Sequence, residues 1–252
     1  LVFISTFTPS FDLKDLNLDS ADLLLGTRTF GATYALRVNH ELKIAVKRLK
    51  CDDISESCFR FMMGTIGEIT HQNVVPLRSY YSHNGERLML FDYYKHGSVF
   101  DLLHGKKDER TVPLDWPFRL SIAVGAARGI AEIHKNVDIK FVHGNIKSTN
   151  IFIDSKGFSC ISDFGLATMM DTTYMPTSYC NAPEINGNAR NVSQKSDVYS
   201  FGIFLLELLT RKSPLHVPGG GAKAVDLVKL LRSIRSKMWP SSVFYVERWY
   251  TP

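Results

Sequence analysis

Two short polar segments of this chain could do chemistry. The first is Phe141-Val142-His143-Gly144-Asn145-Ile146-Lys147-Ser148-Thr149-Asn150-Ile151-Phe152, and the second is Ser162-Asp163-Phe164-Gly165. Each crowds polar side chains into a turn flanked by apolar residues. Such turns suit a metal ion and phosphate: Asn150 and Asp163 supply oxygens, and Lys147 supplies a mobile positive charge. A third feature is Ala45-Val46-Lys47, where an ammonium ends an apolar strand and its charge must be matched. Phosphate is one partner; an edge-strand lysine reaching water is the plainer alternative. A fourth is Gly26-Thr27-Arg28-Thr29-Phe30-Gly31 followed by Tyr34, since glycines in a strand–turn–strand let backbone N–H groups approach phosphate. Glycine in an ordinary turn has the same signature. Ala182-Pro183-Glu184 and Ser196-Asp197-Val198-Tyr199-Ser200-Phe201-Gly202, each taken alone, read as helix boundaries.

These residues need elements to hold them. From about Asp22 to Tyr94 the chain reads as short strands, among them Leu42 to Leu49 and Arg87 to Tyr94, with a polar turn at Asn84-Gly85-Glu86. One helix interrupts them from Ser55, its N-cap, to Ile69, with Phe59, Met62, Met63 and Ile66 along one face. After Val99 the pattern turns helical. Trp116 to His134 repeats apolar residues at three and four, and Ser196 to Leu209 is apolar enough to be buried on all sides. Between these helices lies a strand-and-turn island, Phe141 to Leu166. Gly219-Gly220-Gly221 marks a loop, and Asp226 to Lys237 reads as a last amphipathic helix. The order is a strand-rich lobe, a connector near Tyr93 to Gly97, and a helix-rich lobe.

Composition bounds the function. At 252 residues, 44% hydrophobic, the chain can bury one large core or two small ones, which excludes long disorder. A net charge of +5 without a dense basic stripe does not argue for nucleic acid; Arg232, Arg235 and Lys237 form one polar helix face. The four cysteines, Cys51, Cys58, Cys160 and Cys180, form no CxxC pair, which fits a reducing compartment. The run Phe201 to Leu209 is too short to span a bilayer and carries Glu207, and Leu1 to Phe7 has no signal-peptide pattern. With no initiator Met, the chain reads as cut from something longer.

In this order and at these separations, the motifs resemble the eukaryotic protein kinase signature: glycine loop, strand lysine, catalytic loop, Asp-Phe-Gly and Ala-Pro-Glu. Further likeness lies in Leu1-Val2-Phe3, Phe11-Asp12-Leu13-Lys14-Asp15-Leu16, His71-Gln72-Asn73-Val74-Val75-Pro76-Leu77, Leu114-Asp115-Trp116 and Val142 to Lys147. These look like the cytoplasmic region of plant leucine-rich-repeat receptor-like kinases, in a branch rich in inactive members. The resemblance implies an α+β bilobal fold with a small β-rich N-lobe and a larger helical C-lobe. It divides the chain into a juxtamembrane tail (1–21), an N-lobe (22–94) and a C-lobe (95–252) whose last helices, with an arginine for Glu184, are missing. It places ATP and Mg²⁺ in the cleft. Gly26, Arg28, Gly31, Ala45 and Lys47 would face nucleotide; Phe91 would be the gatekeeper, Asp92 and Tyr93 the hinge, and Phe152 the floor under adenine. Core packing alone also accounts for Phe91 and Phe152.

The departures from the family pattern point away from catalysis. The catalytic-loop aspartate that accepts the substrate proton is Asn145 here, and an amide is no base near neutral pH. The arginine before it is Gly144, which removes its charge pair with a phosphorylated activation loop. The helix glutamate expected to face Lys47 falls on Gly64, and Glu68, about 6 Å further along the axis, is a poor substitute. Arg28 replaces the middle glycine of the phosphate loop; it could touch phosphate, pair with Asp163 or point to solvent. Cys180-Asn181 replaces the usual Tyr-Arg. Thr172, Thr173, Thr177 and Ser178 are candidate phosphosites. The expectation is a pseudokinase domain on the cytoplasmic side of the plasma membrane, within a single-pass receptor whose transmembrane segment lies outside this chain. Other receptor kinases or co-receptors would be its partners. A weak Ser/Thr kinase and a nucleotide-free interaction module are the alternatives.

Overall fold

The computed structural model describes residues 1–4, 16, 23–28, 30–38, 42–50, 54–105, 114–135, 141–169, 180–185, 191–216 and 225–228. A six-stranded antiparallel sheet forms one lobe. Its strands are β1 (Val2–Phe3), β2 (Leu23–Arg28), β3 (Gly31–Arg37), β4 (Lys43–Leu49), β5 (Ser79–His83) and β6 (Glu86–Asp92), in the spatial order β1-β5-β6-β4-β3-β2. The β5–β6 hairpin turns through Asn84 and Gly85, both at positive φ, as the Asn-Gly pair predicts.

Strand periodicity decides where Lys47 points. Along β4, Ile44 and Val46 are buried with Leu36, Leu88 and Leu90 on one face of the sheet. Ala45 and Leu49 pack in the other cluster, with Met89 and Phe91. With a two-residue repeat, Lys47 shares this second face, toward the helix and the cleft. The helix is α1 (Glu56–Glu68), capped by the Ser55 hydroxyl, which accepts the Cys58 N–H, and it buries Phe59, Met62, Met63 and Ile66 as the spacing predicts. Gly31 opens β3 at φ +144°, and a Cβ there would lie 1.9 Å from the Arg48 carbonyl oxygen. This glycine is required by contact with β4.

The other lobe contains α2 (Val99–His104), α3 (Trp116–His134), α4 (Leu166–Met169) and α5 (Gln194–Thr210). Between α3 and α4 lie a 3-10 turn, Ser148–Asn150, and the two-stranded ribbon of β7 (Ile151–Ile153) and β8 (Ser159–Ile161). Side chains cap the helices where the sequence changes character: Asp115 caps α3, and capping boxes at Ser98/Asp101 and Ser193/Ser196 start α2 and α5.

Two expectations are corrected. Helix α5 is not buried on all sides, because Val198 and Leu209 are exposed, and its buried Glu207 meets His104 Nε2 at 2.8 Å. The helix expected from Asp226 starts one residue later: Val225–Asp226 is a strand, β10, paired with β9 (Leu215–His216), and Leu227 and Val228 are helical. The rest of that stretch, the glycine run at 219–221, the basic face at 232–237 and the candidate phosphosites lie outside the described residues. Cys58, Cys160 and Cys180 form no disulfide among the described residues.

Candidate functional site

A cleft of about 150 Å³ lies where the sheet meets the helical lobe, lined by Gly26, Ala45, Lys47, Phe91, Asp92, Tyr93, Asn150, Phe152 and Asp163. These expected site residues, widely separated in sequence, converge on one cavity. Gly31 lies outside the lining, for the packing reason given above. Arg28 ends β2, and its side chain lies outside the description. Asn145 and Lys147 occupy the turn that leads into Asn150 and are not part of the lining.

At the polar end of the cleft, Lys47 Nζ donates to Asp163 Oδ2 across 116 residues of sequence. The lysine is 2% exposed and the aspartate 13%, so the pair is largely withdrawn from water. Asp163 sits at φ +64°, a left-handed backbone that turns the chain into the following Phe164. Phe164 is buried edge-on against Phe141, with ring centroids 6.2 Å apart.

No acid on α1 reaches Lys47. Glu56 and Glu68 are both exposed. Gly64 is also exposed, and a Cβ built on it meets nothing within 4 Å. Gly64 thus leaves open space where the sequence reading missed an acid, and Glu68 does not pair with Lys47. The face turned to the core carries only Phe59, Met62, Met63, Thr65 and Ile66 among its buried residues, so Lys47 has Asp163 as its partner.

Asp197, in the first turn of α5 and 1% exposed, holds the turn that carries Asn145. Its Oδ2 accepts the His143 N–H and its Oδ1 the Gly144 N–H, both at 2.8 Å. His134 Nε2 lies 2.8 Å from the same Oδ2. Sequence reading took Asp197 for a helix-boundary residue, because an acid in a first turn is common and its partners lie more than fifty positions away. Further along, Asn150 Nδ2 donates to the Asn145 carbonyl at 2.8 Å, and Ser162 N–H donates to the Asn150 carbonyl at 2.8 Å. These bonds tie the two polar segments together. Glu184 is exposed and forms no ion pair among the described residues.

Burial holds the His143 imidazole below its ordinary range, against the opposing pull of Asp197. The unfolded chain therefore takes up the proton first. This contribution to stability is complete above a pH of about 6.5 and is lost as pH falls below it. Melting temperature is expected to fall between about pH 7.5 and about pH 5.5, and His143→Gln is expected to flatten that slope. An unchanged slope in the variant would assign the acid sensitivity to other groups.

Residues 21–240 match the protein tyrosine and serine/threonine kinase family. This chain belongs to that kinase family. It is 46% identical over 250 residues to a probable inactive receptor kinase of Arabidopsis thaliana, covering 98% of this chain and 39% of the relative. It is 45% identical over 256 residues to a putative inactive receptor-like protein kinase of the same plant, covering 98% of this chain and 42% of the relative. The chain thus spans about two fifths of these curated relatives. Among solved structures it resembles the pseudokinase domain of BIR2, an immune regulator of the RLK/Pelle family. That likeness has a TM-score of 0.73 and 30% identity, covering 94% of this chain and 74% of the other.

Kinase domains bind ATP with magnesium, and the two halves of this cleft fit that ligand differently. The apolar half, with Ala45, Val75, Phe91 and Phe152 in its lining, suits an apolar ring such as adenine. The metal half does not fit as it stands. Of the two candidate ligands, Asp163 is engaged by Lys47, and Asn150 donates its side-chain amide to the Asn145 carbonyl.

Proposed function

We propose that this kinase domain does not transfer phosphate and acts in signalling by binding ligands and partner proteins. The observation that carries this reading is the Lys47–Asp163 pair, formed with no acid on the buried face of α1. In an active arrangement the helix acid holds the lysine and leaves the aspartate for metal. Here one carboxylate serves where two are needed. Asn145 adds a second defect, since a neutral amide orients a hydroxyl but takes no proton, a loss of roughly 10²–10⁴-fold. The two together would lower the rate by on the order of 10³ or more.

The inactive receptor kinases among the relatives support placing this domain on the cytoplasmic side of the plasma membrane within a single-pass receptor. Its lobes are 22–94 and 95–252, and part of the expected tail at 1–21 joins the first of them, since β1 is an edge strand of the N-lobe sheet. Other receptor kinases or co-receptors are the partners this implies. No helix among the described residues is long and apolar enough to cross a membrane.

Phosphate incorporation from labelled ATP and Mg²⁺ tests the proposal. The domain is expected to match its Lys47→Met variant; a normal kinase rate, abolished by that substitution, would overturn it. A weakly active Ser/Thr kinase is the second reading, favoured by Lys147, Asn150, Asp163 and Gly165, which keep the family's residue types. On that reading Asn145→Asp raises an already measurable rate. Adding Gly64→Glu is expected to change nothing further, because position 64 faces solvent.

A further inference from the structure

We infer that the outward face of α3 binds a second copy of this chain, the two helices crossing antiparallel about a two-fold axis at the level of Ile122. This face shares no residue with the cleft lining and is independent of what the cleft holds.

Helix α3 turns one side to the core, through Ile122, Ala126, Ile130 and Ile133. The opposite side of a helix bathed by water carries polar residues. Here Trp116, Leu120 and Val124 follow one another on it at four-residue intervals, 56, 52 and 42% exposed. Arg128 continues the row, exposed and with no hydrogen bond or ion pair among the described residues. Single exposed apolar residues are ordinary on a protein surface. A row of them along one helix ridge, ended by an uncommitted guanidinium, is the pattern of a contact surface, where Trp and Arg carry much of the binding energy.

The symmetry of the row identifies its occupant. Its four members are evenly spaced about Ile122. Turned end for end, the row presents Arg128 where Trp116 stood and Val124 where Leu120 stood. An antiparallel pair therefore sets each Trp116 ring against the partner's Arg128, a cation–π contact made twice, and each Leu120 against the partner's Val124. Asp115 supplies the matching charge beside Trp116. Its Oδ1 caps the helix by accepting the Phe118 N–H at 2.9 Å, and its Oδ2 takes no hydrogen bond among the described residues, so it is open to the incoming guanidinium. Trp116 and Arg128 stand about 18 Å apart along the axis, where helices crossing on their i±4 ridges diverge, and both side chains are long enough to close that gap. A parallel pair would set Arg128 on Arg128. An anionic membrane recruits clusters of cations, and this row carries one.

The row offers on the order of a few hundred Å² per copy, less than the roughly 800 Å² of a standard interface. The dimer is accordingly weak, with a Kd on the order of 10–100 μM.

Sedimentation equilibrium of the full chain, from about 5 to about 500 μM, tests this. A monomer–dimer equilibrium is expected. Leu120→Asp is expected to abolish the dimer, and Arg128→Gln to weaken it about tenfold, since the contact is lost twice. Val198→Asp, at an exposed position on α5, is expected to leave it intact. A chain that stays monomeric at the highest concentration overturns the inference. So does a dimer that both α3 variants leave unchanged, or one that Val198→Asp breaks. Circular dichroism checks that the variants fold; should Leu120→Asp not fold, Arg128→Gln carries the comparison. Cross-linking reads the orientation. A mixture of Leu120→Cys and Val124→Cys chains is expected to form the mixed disulfide in preference to either homodimer, whereas preferred Leu120→Cys homodimers would show a parallel pair and overturn the inference.

Discussion

Gly144→Arg, which restores the arginine of the family's catalytic loop, is expected to lower the melting temperature and bring no phosphate transfer. Gly144 sits at φ +73°, and a Cβ there would lie 2.4 Å from the Ala167 Cβ and 3.0 Å from Val192 Cγ1. The left-handed backbone alone costs a non-glycine residue about 1–2 kcal/mol. The overlap adds overpacking strain of about 1–3 kcal/mol. A loss of about 3 kcal/mol corresponds to a fall of roughly 6–12 °C in a domain of this size. The space an arginine would leave through has been filled by α4 and Val192. Gly64→Ala is the control, since that position opens to solvent in a helix interior and alanine should stabilise it by about 1 kcal/mol. Differential scanning calorimetry of both variants reads the two signs directly. A Gly144→Arg domain as stable as the parent would mean that α4 does not rest against this loop in solution.

Asp197→Ala is expected to be more damaging still. The substitution removes the acceptor for two buried backbone N–H groups, those of His143 and Gly144, and the partner of His134. Each stranded buried donor costs about 1–3 kcal/mol, so a total of about 3–5 kcal/mol is expected in urea unfolding. Asp197→Asn keeps one acceptor oxygen and should fall between the parent and the alanine variant. Hydrogen exchange supplies the local readout: the amides of His143 and Gly144 should exchange faster in Asp197→Asn, while those of the sheet stay protected. Uniform protection across the turn would show that the loop is held by other bonds.

The turn that Asp197 holds is also where sequence reading and structure part. The residues of the turn were legible: Asn145, Lys147 and Asn150 stand out as polar groups between apolar ones. Their anchor was not, because an aspartate near a helix start is satisfied equally well by the helix itself. Position 64 shows the same limit. Counting along the chain placed an acid's absence at Gly64; which way that position turns is decided by the packing of the helix, since successive helical residues point about 100° apart. The apolar face Phe59, Met62, Met63 and Ile66 was readable from spacing, and that face settles the matter: nothing on its buried side is acidic.

The sequence by itself determined the local elements and the family. Helix caps at Ser55, Ser98, Asp115 and Ser193, strand alternation, and the order of the short motifs depend on residues a few positions apart, and such short-range rules act before the chain has any global shape. Tertiary structure alone decided the partners. Only the docking of β4 against the Asp163 turn sets the Lys47 side chain on a carboxylate, and only the packing of α1 withholds another. The physical reason is range. A buried charge must be matched by whatever the fold brings within about 4 Å, and that neighbour is chosen by the packing of elements rather than by proximity along the chain.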